Sequence, residues 1–358
     1  MLLSLSIATL GFSAQHPSFD AFLAKYHKQY AGAEYSERRA AYEAAVATIE
    51  AHNAASPSWT MKLSEHADKL PHEWSNLRGL DRSAHFRNHA ARNYASRAAA
   101  PSDLPASVDW RTTKMVTPVK NQEACGSCWA FSATETVESA LAMAGGPLLT
   151  LAPQQLVDCA PNPQQCGGTG GCQGSTQPLA FNYTVGAGMD SEAAYPYKGR
   201  DGTCSAASKS PAVGITGLVE LPTNDYDALM TAVATVGPIA ISVDASAWSF
   251  YGGGVYSGHC GTTIDHAVQL VGYGTDSQTN EDYWLVRNSW GTSWGEDGYM
   301  RIKRYGAGDE PCGTDTAPDE GYGCKGGPST LKVCGLCGIL SASSYPTGAY
   351  AKEARRIQ

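Results

Sequence analysis

The residue best suited to nucleophilic chemistry in this sequence is Cys128, in the run QEACGSCWAF. The apolar residues that follow it recur at helical spacing and predict one long helix over residues 129–143. A cysteine at the first turn of a helix meets unpaired backbone N–H groups and the positive end of the helix dipole, and both stabilise a thiolate. The thiolate is the reactive form of cysteine, so Cys128 is the candidate nucleophile.

The groups that such a nucleophile needs occur elsewhere in the chain. His266, in IDHAV beside an apolar strand-like run, offers an imidazole that can share a proton with Cys128. Asn288, in YWLVRNSWG, offers a neutral amide to orient that ring. Gln122 precedes Cys128, and its side-chain N–H can join the Cys128 backbone N–H in stabilising an oxyanion. This set of residues predicts acyl transfer through a cysteine.

The elements that position these residues form a helical half followed by a β half. Short β-like runs at residues 239–243 and 283–286 are separated by Gly-rich turns. Ahead of both halves, residues 19–53 carry aromatic and aliphatic side chains at helical spacing, which predicts two amphipathic helices. Residues 90–103 lack apolar periodicity and are rich in Ala, Arg and Ser, which predicts an exposed, cleavable linker.

Composition and charge narrow the class of protein. The chain has 358 residues, of which 42% are apolar and 17% charged, so disorder, collagen and coiled coil fit poorly. The net charge of −8 argues against nucleic acid as a partner, because phosphate binding needs a basic face. Seven of the nine histidines precede residue 104. We expect them to be exposed, since acid activation through them would need buried sites or neighbouring Arg or Lys.

The cysteines and the N-terminus indicate the secretory pathway. All 11 cysteines lie between Cys125 and Cys337, and such density fits an oxidising compartment. Residues 1–13 resemble the apolar part of a signal peptide, with a buried N-terminal strand as the alternative. No apolar stretch of about 18 residues follows, so no membrane anchor is expected. The expected destination is extracellular or a lysosome or vacuole.

These residues make the chain similar to the papain-like cysteine proteases of the cathepsin L type. The run CGSCW, with His266 and Asn288 far downstream, is that family's signature. Four further stretches match the family: LP and SVDWR within 104–111, GCQG at 171–174, NSWG at 288–291, and CGI with SSYP within 337–346. Agreement at five separated places makes a chance match improbable.

The resemblance implies an α+β papain-like two-lobe fold, with a helical lobe, an antiparallel β-barrel-like lobe and a helical N-terminal pro-segment. Cys128 and His266 should face each other across the cleft between the lobes. The implied organisation is a signal peptide at 1–13, an inhibitory pro-segment at 14–103, a mature peptidase domain at 104–350 with an insertion at 306–336, and a C-terminal tail at 351–358. Typical members of the family lack the insertion.

The pro-segment matches the family's inhibitor motifs in part. Four letters of the helical pattern E-x3-R-x3-F-x2-N-x3-I-x3-N are present, Phe is replaced by Tyr and one Asn is missing. The positions are Glu34, Arg38, Tyr42, Ala45, Ile49 and Asn53. The following G-x-N-x-F-x-D element has only its last letter, Asp68. The resemblance therefore implies a zymogen with a divergent pro-segment.

The resemblance also implies a role for each residue of the cleft. Cys128 attacks the peptide carbonyl, His266 protonates the leaving amine, Asn288 orients His266, and Gln122 helps to hold the oxyanion. The implied substrate-binding residues are Gly174, Ser175, Gln177, Ile264, Asp265, Trp290, Trp294 and Ala342.

Substrate preference in this family rests on the pocket for P2, the second substrate residue before the scissile bond. The resemblance places Ala342 at the base of that pocket and Ile264 on its wall, whereas Trp290 and Trp294 line the leaving-group side. An apolar pocket cannot compensate the desolvation of a buried cation, so a hydrophobic P2 residue is expected. Gln177 makes part of the wall polar.

The resemblance pairs six cysteines and leaves Cys128 free. The implied disulfides are Cys125–Cys172, Cys159–Cys204 and Cys260–Cys337. Cys166, Cys312, Cys324 and Cys334 remain, and four cysteines allow three connectivities. A zinc site is the alternative, but the wide gap between Cys312 and Cys324 does not give the close second pair such a site needs, so disulfides are favoured. No metal and no cofactor is expected.

Two other functions fit part of the sequence. Cys125 and Cys128 form a C-x-x-C pair, but a thioredoxin-type redox site belongs in a βαβ unit, which the pattern lacks. A catalytically silent papain-like homologue, acting as a binding or storage protein, is the main alternative, and its usual mark is the loss of the Cys, His or Asn. All three are present.

The favoured function is a cysteine endopeptidase made as a zymogen. It would work through a thiolate–imidazolium pair and a thioester intermediate. The expected partners are protein and peptide substrates and the chain's own pro-segment, bound within a monomer.

Overall fold

The computed structural model describes residues 16–55, 58–79, 104–205 and 211–352. The predicted signal peptide and the predicted linker at 90–103 lie outside the described residues. The helices are α1 (Phe19–Lys25), α2 (Gly32–Ala54), α3 (Pro71–Leu77), α4 (Cys128–Met143), α5 (Pro153–Cys159), α6 (Gln177–Ala187) and α7 (Tyr226–Thr235). The strands are β1 (Trp59–Met61), β2 (Val108–Asp109), β3 (Val213–Gly214), β4 (Gly217–Glu220), β5 (Ile239–Val243), β6 (Tyr251–Tyr256), β7 (His266–Thr275), β8 (Asp282–Arg287), β9 (Tyr299–Lys303), β10 (Cys312–Asp315), β11 (Leu331–Cys334), β12 (Ala342–Thr347) and β13 (Tyr350–Ala351).

The first two helices pack around aromatic side chains. Ser18 caps α1 by accepting a hydrogen bond from the backbone N–H of Ala21. The rings of Phe19, Phe22 and Tyr42 lie with centroids 4.7, 5.5 and 6.1 Å apart. The two amphipathic helices predicted over residues 19–53 are therefore present, and their apolar faces meet.

A buried carboxylate fixes the segment that leads to α3. Asp68 accepts hydrogen bonds from Lys28 Nζ at 2.5 Å and from the Tyr30 hydroxyl at 2.8 Å. Arg38 on α2 pairs with Glu73 on α3. Because a buried charge without partners is strongly disfavoured, these contacts hold α3 in a set position against α2.

Helix α4 is the central element of the helical half. Fourteen of its sixteen residues are buried. Its Ser132 hydroxyl donates to the Val268 carbonyl on β7 at 2.7 Å, and Glu135 Oε1 lies 3.3 Å from the guanidinium of Arg287 on β8. These contacts hold α4 directly against the sheet.

The β half is a nine-stranded sheet. Its order is β1–β6–β9–β8–β7–β5–β12–β4, with β2 beside β7, and every pair is antiparallel except β6 with β9. The predicted α+β fold is confirmed, but in the part of the chain described the sheet does not close into a barrel. Strand β1, from the N-terminal segment, forms one edge and β4 forms the other, and they do not pair.

Strand pairing brings two of the predicted catalytic residues together. Strand β7 starts at His266, and β8 ends at Arg287, one residue before Asn288. The two strands are antiparallel, with Gln269 opposite Arg287, so the start of one lies beside the end of the other. His266 and Asn288 therefore meet at the same edge of the sheet.

Five disulfides cross-link the chain, and Cys128 is a free thiol. The pairs are Cys125–Cys172, Cys159–Cys204, Cys166–Cys324, Cys260–Cys337 and Cys312–Cys334. The three pairs that the resemblance implies are among them. The four other cysteines form two further bonds, which leaves them no thiolate for a zinc site. None of the described helices has the length and apolar character needed to cross a membrane.

Candidate active site

Close packing around Gly126 fixes the position of Cys128. An added Cβ at Gly126 would lie 2.4 Å from the Cys172 carbonyl oxygen and 2.7 Å from Gly79 Cα. The N–H of Gly126 donates to the same Cys172 oxygen at 2.9 Å, next to the disulfide of Cys125. Only glycine allows the chains to approach this closely. The first turn of α4, which carries the thiol, is thereby held in place.

The hydrogen bond between His266 and Asn288 sets the protonation pattern of the imidazole. His266 Nε2 lies 2.8 Å from Asn288 Oδ1, and this oxygen also accepts the backbone N–H of Ser289 at 2.8 Å. Because Oδ1 can only accept, Nε2 carries the proton of the neutral ring. Nδ1 is buried with no hydrogen-bond partner among the described residues, so it is the basic nitrogen. Cys128 and His266 line the same cavity.

Three buried indoles surround this histidine. The Trp290 ring lies 4.8 Å from the His266 ring, and the Trp248 ring lies 6.2 Å away on an edge-to-face approach. Trp294 packs edge-to-face on Trp290 at 5.2 Å and donates its N–H to the Trp248 carbonyl at 3.1 Å. These rings keep water from the bond between His266 and Asn288. Sequence reasoning missed Trp248, because it carries no motif.

Gln122 directs a side-chain donor into the cleft. Its Nε2 donates to the Cys125 carbonyl at 2.9 Å and to the carbonyl of Leu77, at the end of α3, at 2.8 Å. The Ser289 hydroxyl donates to Gln122 Oε1 at 2.6 Å, which fixes the orientation of the amide. The donor predicted to hold an oxyanion is therefore bonded to a peptide carbonyl.

The residues after α3 occupy the cleft beside Cys128. The Arg78 carbonyl oxygen lies 3.8 Å from Cys128 Sγ, and Arg78 Nε lies 3.0 Å from Asp265 Oδ2. Gly79 follows with a φ of +77°, and a Cβ there would lie 3.3 Å from Cys128 Sγ. Sequence reasoning missed Arg78 and Gly79, because nothing in the local sequence shows that Arg78 meets Asp265 or that Gly79 lies against Cys128.

Burial favours the neutral forms of the candidate pair, Cys128 and His266. It raises the pKa of the Cys128 thiol to about 12, although a backbone hydrogen bond at Ala267 opposes the rise. It lowers the pKa of His266 to about 4, although the bond to Asn288 opposes the fall. Burial also raises the pKa of Asp265 to about 7 against the effect of Arg78. With the cleft covered, the thiolate–imidazolium pair is disfavoured.

The predicted substrate-binding residues divide between two cavities and the protein interior. A cavity of about 20 Å³ beside Cys128 is lined by Gly174, Ser175, Ile264 and Asp265, as well as by Gly321 and Tyr322 from the insertion, which sequence reasoning missed. Ala342 lines a second cavity, together with Ile264. Gln177 lines neither cavity, since its amide is buried and donates to the Ile241 carbonyl at 2.9 Å.

Two family domains match this chain. The papain family cysteine protease domain matches residues 104–327. The cathepsin propeptide inhibitor domain matches residues 19–74, which contain α1, α2 and most of α3.

Individual relatives match over most of the chain. Procathepsin L of Mus musculus is 37% identical over 337 residues, which span 88% of this chain and 97% of that protein. Cathepsin L2 of Homo sapiens is 38% identical, over 85% of this chain and 95% of that protein. The structure of digestive procathepsin L2 from Tenebrio molitor is 34% identical, with a TM-score of 0.75, and covers 92% of this chain and 98% of its own.

A plant precursor structure agrees with these matches. The recombinant stem bromelain precursor has a TM-score of 0.73 and 33% identity, over 92% of this chain and 97% of its own. Residues 19–74 therefore match a cathepsin-type pro-segment, and they share one chain with the protease domain. This chain belongs to the papain family of cysteine proteases and is made as a zymogen with a cathepsin-type inhibitory pro-segment.

Proposed function

We propose that Cys128 is the nucleophile of a cysteine endopeptidase and that the pro-segment inhibits it by lying in the substrate cleft. One observation carries the proposal: a peptide already lies across the candidate catalytic groups. The Leu77 carbonyl accepts the Gln122 amide N–H, and the Arg78 carbonyl oxygen lies 3.8 Å from Cys128 Sγ. A substrate peptide along the same path would place its backbone beside both the nucleophile and an oxyanion donor.

The proposed reaction has two stages. The Cys128 thiolate attacks the carbonyl carbon, a C–S bond forms, and the oxyanion is held by Gln122 Nε2 and the Cys128 backbone N–H. His266 Nδ1 gives its proton to the leaving amine as the C–N bond breaks, which leaves a thioester. Water then loses a proton to His266 and its oxygen attacks the thioester; the C–S bond breaks, which releases the acid and regenerates the Cys128 thiolate beside protonated His266. Asn288 holds the ring through Nε2 in both stages.

A silent homologue acting as a binding or storage protein is the other candidate. Such a protein would have no need of the buried Nδ1 of His266, nor of an amide aimed at a carbonyl by Gln122. Both features are what proton transfer and oxyanion binding require, so they favour the enzyme.

We further propose that the protein works in the secretory pathway, outside the cell or in a lysosome or vacuole, on protein and peptide substrates. Ten of its 11 cysteines are in disulfides, which persist in oxidising compartments.

Replacement of Cys128 by Ala tests the nucleophile. We expect kcat/KM for peptide hydrolysis to fall at least ~10⁴-fold with the fold intact, because the thiol supplies chemistry and little packing. Asn288→Ala should lose less activity, since Asn288 orients His266 without touching substrate. Circular dichroism controls for folding. Wild-type turnover by Cys128→Ala would refute the assignment, and a folded Asn288→Ala as inactive as Cys128→Ala would refute the division of roles.

One histidine of the pro-segment is buried against the catalytic wall, contrary to the expectation that these histidines are exposed. His66 Nε2 donates to the Trp290 carbonyl at 2.9 Å, and its side chain is 5% exposed. Burial lowers the pKa of His66 from 6.5 to about 3, and Lys69 and Lys28 lower it further. The hydrogen bond to Trp290 opposes this, and Glu65 lies 3.7 Å from Nε2.

The sign of the resulting pH dependence follows from linkage. A released pro-segment would bind a proton at His66 below pH 6.5, whereas the docked one would not until about pH 3. Docking is therefore strongest above pH 6.5 and weakens as the pH falls through that window. The loss of docking free energy is about 1.4 kcal/mol per pH unit at most, or about 2 kcal/mol between pH 6.5 and 4.5.

His66→Gln tests this acid release. Its amide can still donate to the Trp290 carbonyl but does not titrate, so the pH midpoint of autoprocessing should fall by at least ~0.5 unit. The matched control is His72→Gln, since His72 is exposed on α3 and should leave the midpoint unchanged. An unchanged midpoint in His66→Gln, or an equal shift in His72→Gln, would show that His66 does not act as the sensor.

The side of the cleft that would bind the acyl part of the substrate, here called the acyl side, supports a hydrophobic P2 preference. Gly174, Ser175 and Ile264 line the cavity beside Cys128. The carboxylate of Asp265 also reaches this cavity but is paired with Arg78 in the zymogen. We expect Leu at P2 to exceed Arg by at least ~10-fold in kcat/KM, which is 1.4 kcal/mol. Fluorogenic peptides that differ only at P2 measure the ratio, and equal or faster turnover of the Arg peptide would contradict the assignment.

A further inference from the structure

The insertion at residues 306–336 is an ordered element attached to the β half. Its strands β10 and β11 pair antiparallel, with Cys312 opposite Cys334 and bonded to it. The Thr262 hydroxyl donates to the Thr314 carbonyl at 3.0 Å, four residues before His266. The first strand of the insertion is therefore bonded to the segment that leads into His266.

The far end of the insertion is fastened to both halves of the enzyme. On the β side, the Tyr322 N–H donates to the Ile264 carbonyl at 2.7 Å, and an added Cβ at Gly321 would lie 2.4 Å from the same oxygen. On the helical side, Gly167 donates to the Gly323 carbonyl at 2.9 Å.

A covalent bond reinforces the attachment to the helical half. Cys166 and Cys324 form a disulfide, and the Lys325 N–H donates to the Gln164 carbonyl at 2.9 Å. Residues 321–325 thus cross from one half to the other on the acyl side of the cleft. Their position is set by three backbone hydrogen bonds and one disulfide.

Tyr322 lies between the two cavities of the acyl side. The cavity of about 20 Å³ beside Cys128 and a second cavity of about 100 Å³ that contains Ala342 share only two lining residues, Ile264 and Tyr322. Asp315 of the insertion also lines the second cavity. Ile264 and Tyr322 therefore lie at the boundary between the cavity beside Cys128 and the cavity that contains Ala342.

We propose that Tyr322 is a specificity-determining residue that shortens the P2 pocket, so that the enzyme accepts an aliphatic P2 residue such as Leu and rejects the larger Phe. The proposal rests on the peptidase function proposed above. Ile264 belongs to the wall that leads into His266, whereas Tyr322 comes from the insertion. A change at Tyr322 therefore alters the pocket while leaving the catalytic residues in place.

The test is the ratio of kcat/KM for two fluorogenic peptides that differ only in Leu or Phe at P2. Tyr322→Ala joins the two cavities, so the Leu-to-Phe ratio should fall at least ~10-fold, the scale set by a few methylene groups in an apolar pocket. Tyr322→Phe retains the ring and should retain the ratio. The matched control is Tyr350→Ala, since Tyr350 is 45% exposed and lines neither cavity.

A ratio of this kind does not depend on the folded fraction, so partial misfolding cannot imitate the result. An unchanged ratio in Tyr322→Ala, with the wild type active on the Leu peptide, would overturn this inference alone. A wild type inactive on every peptide would overturn the peptidase function instead.

A second arm uses the base of the pocket. Ala342→Glu alone should leave Arg at P2 disfavoured, because the new carboxylate lies behind Tyr322. Combined with Tyr322→Ala, it should raise turnover of the Arg peptide at least ~10-fold relative to Tyr322→Ala alone. A gain for Arg in the single variant Ala342→Glu would show that Tyr322 does not separate Ala342 from the cleft.

Discussion

The hydrogen bond between His266 Nε2 and Asn288 Oδ1 is the interaction on which the site depends. It forms because β7 starts where its antiparallel neighbour β8 ends, and it is kept dry by Trp290, Trp294 and Trp248. By holding the proton on Nε2, it leaves Nδ1 as the base. Helix α4, held against β7 through Ser132, then supplies the thiol from its first residue.

The pro-segment inhibits by contacting the groups that catalysis would use. It bonds to Gln122 through the Leu77 carbonyl, pairs Arg78 with Asp265, and packs Trp74 edge-to-face on Trp290 at 5.7 Å. The thiol and the imidazole are buried beside this segment, and burial favours their neutral forms. The proposed inhibition is thus both steric and electrostatic, and His66, the proposed acid sensor, lies in the same contact.

Local sequence was enough to predict those site residues whose role follows from their immediate neighbours in the chain. Cys128 was recognisable because it precedes a helical run, and the predicted start of that helix at 129 differs from the observed start by one residue. The pairing of the four remaining cysteines and the contact of Arg78 with Asp265 depend on segments far apart in the chain, for which no local pattern exists. A barrel-like sheet was expected from the sequence, and the open one was not predicted. Nothing in the short strand β1 shows that the pro-segment joins the sheet as an edge strand. Gln177 was expected in the pocket, but its amide satisfies buried groups of the core.

The central claim is that the pro-segment keeps Cys128 and His266 neutral and that its removal allows the ion pair. The most direct test is the pH dependence of alkylation of Cys128, the one free thiol in a chain whose other ten cysteines are in disulfides, before and after removal of the pro-segment. The account predicts slow alkylation of the zymogen that rises only at alkaline pH, and fast alkylation of the mature enzyme that persists into acid. Two coincident profiles, each rising near the ordinary thiol pKa of about 8.5, would contradict it.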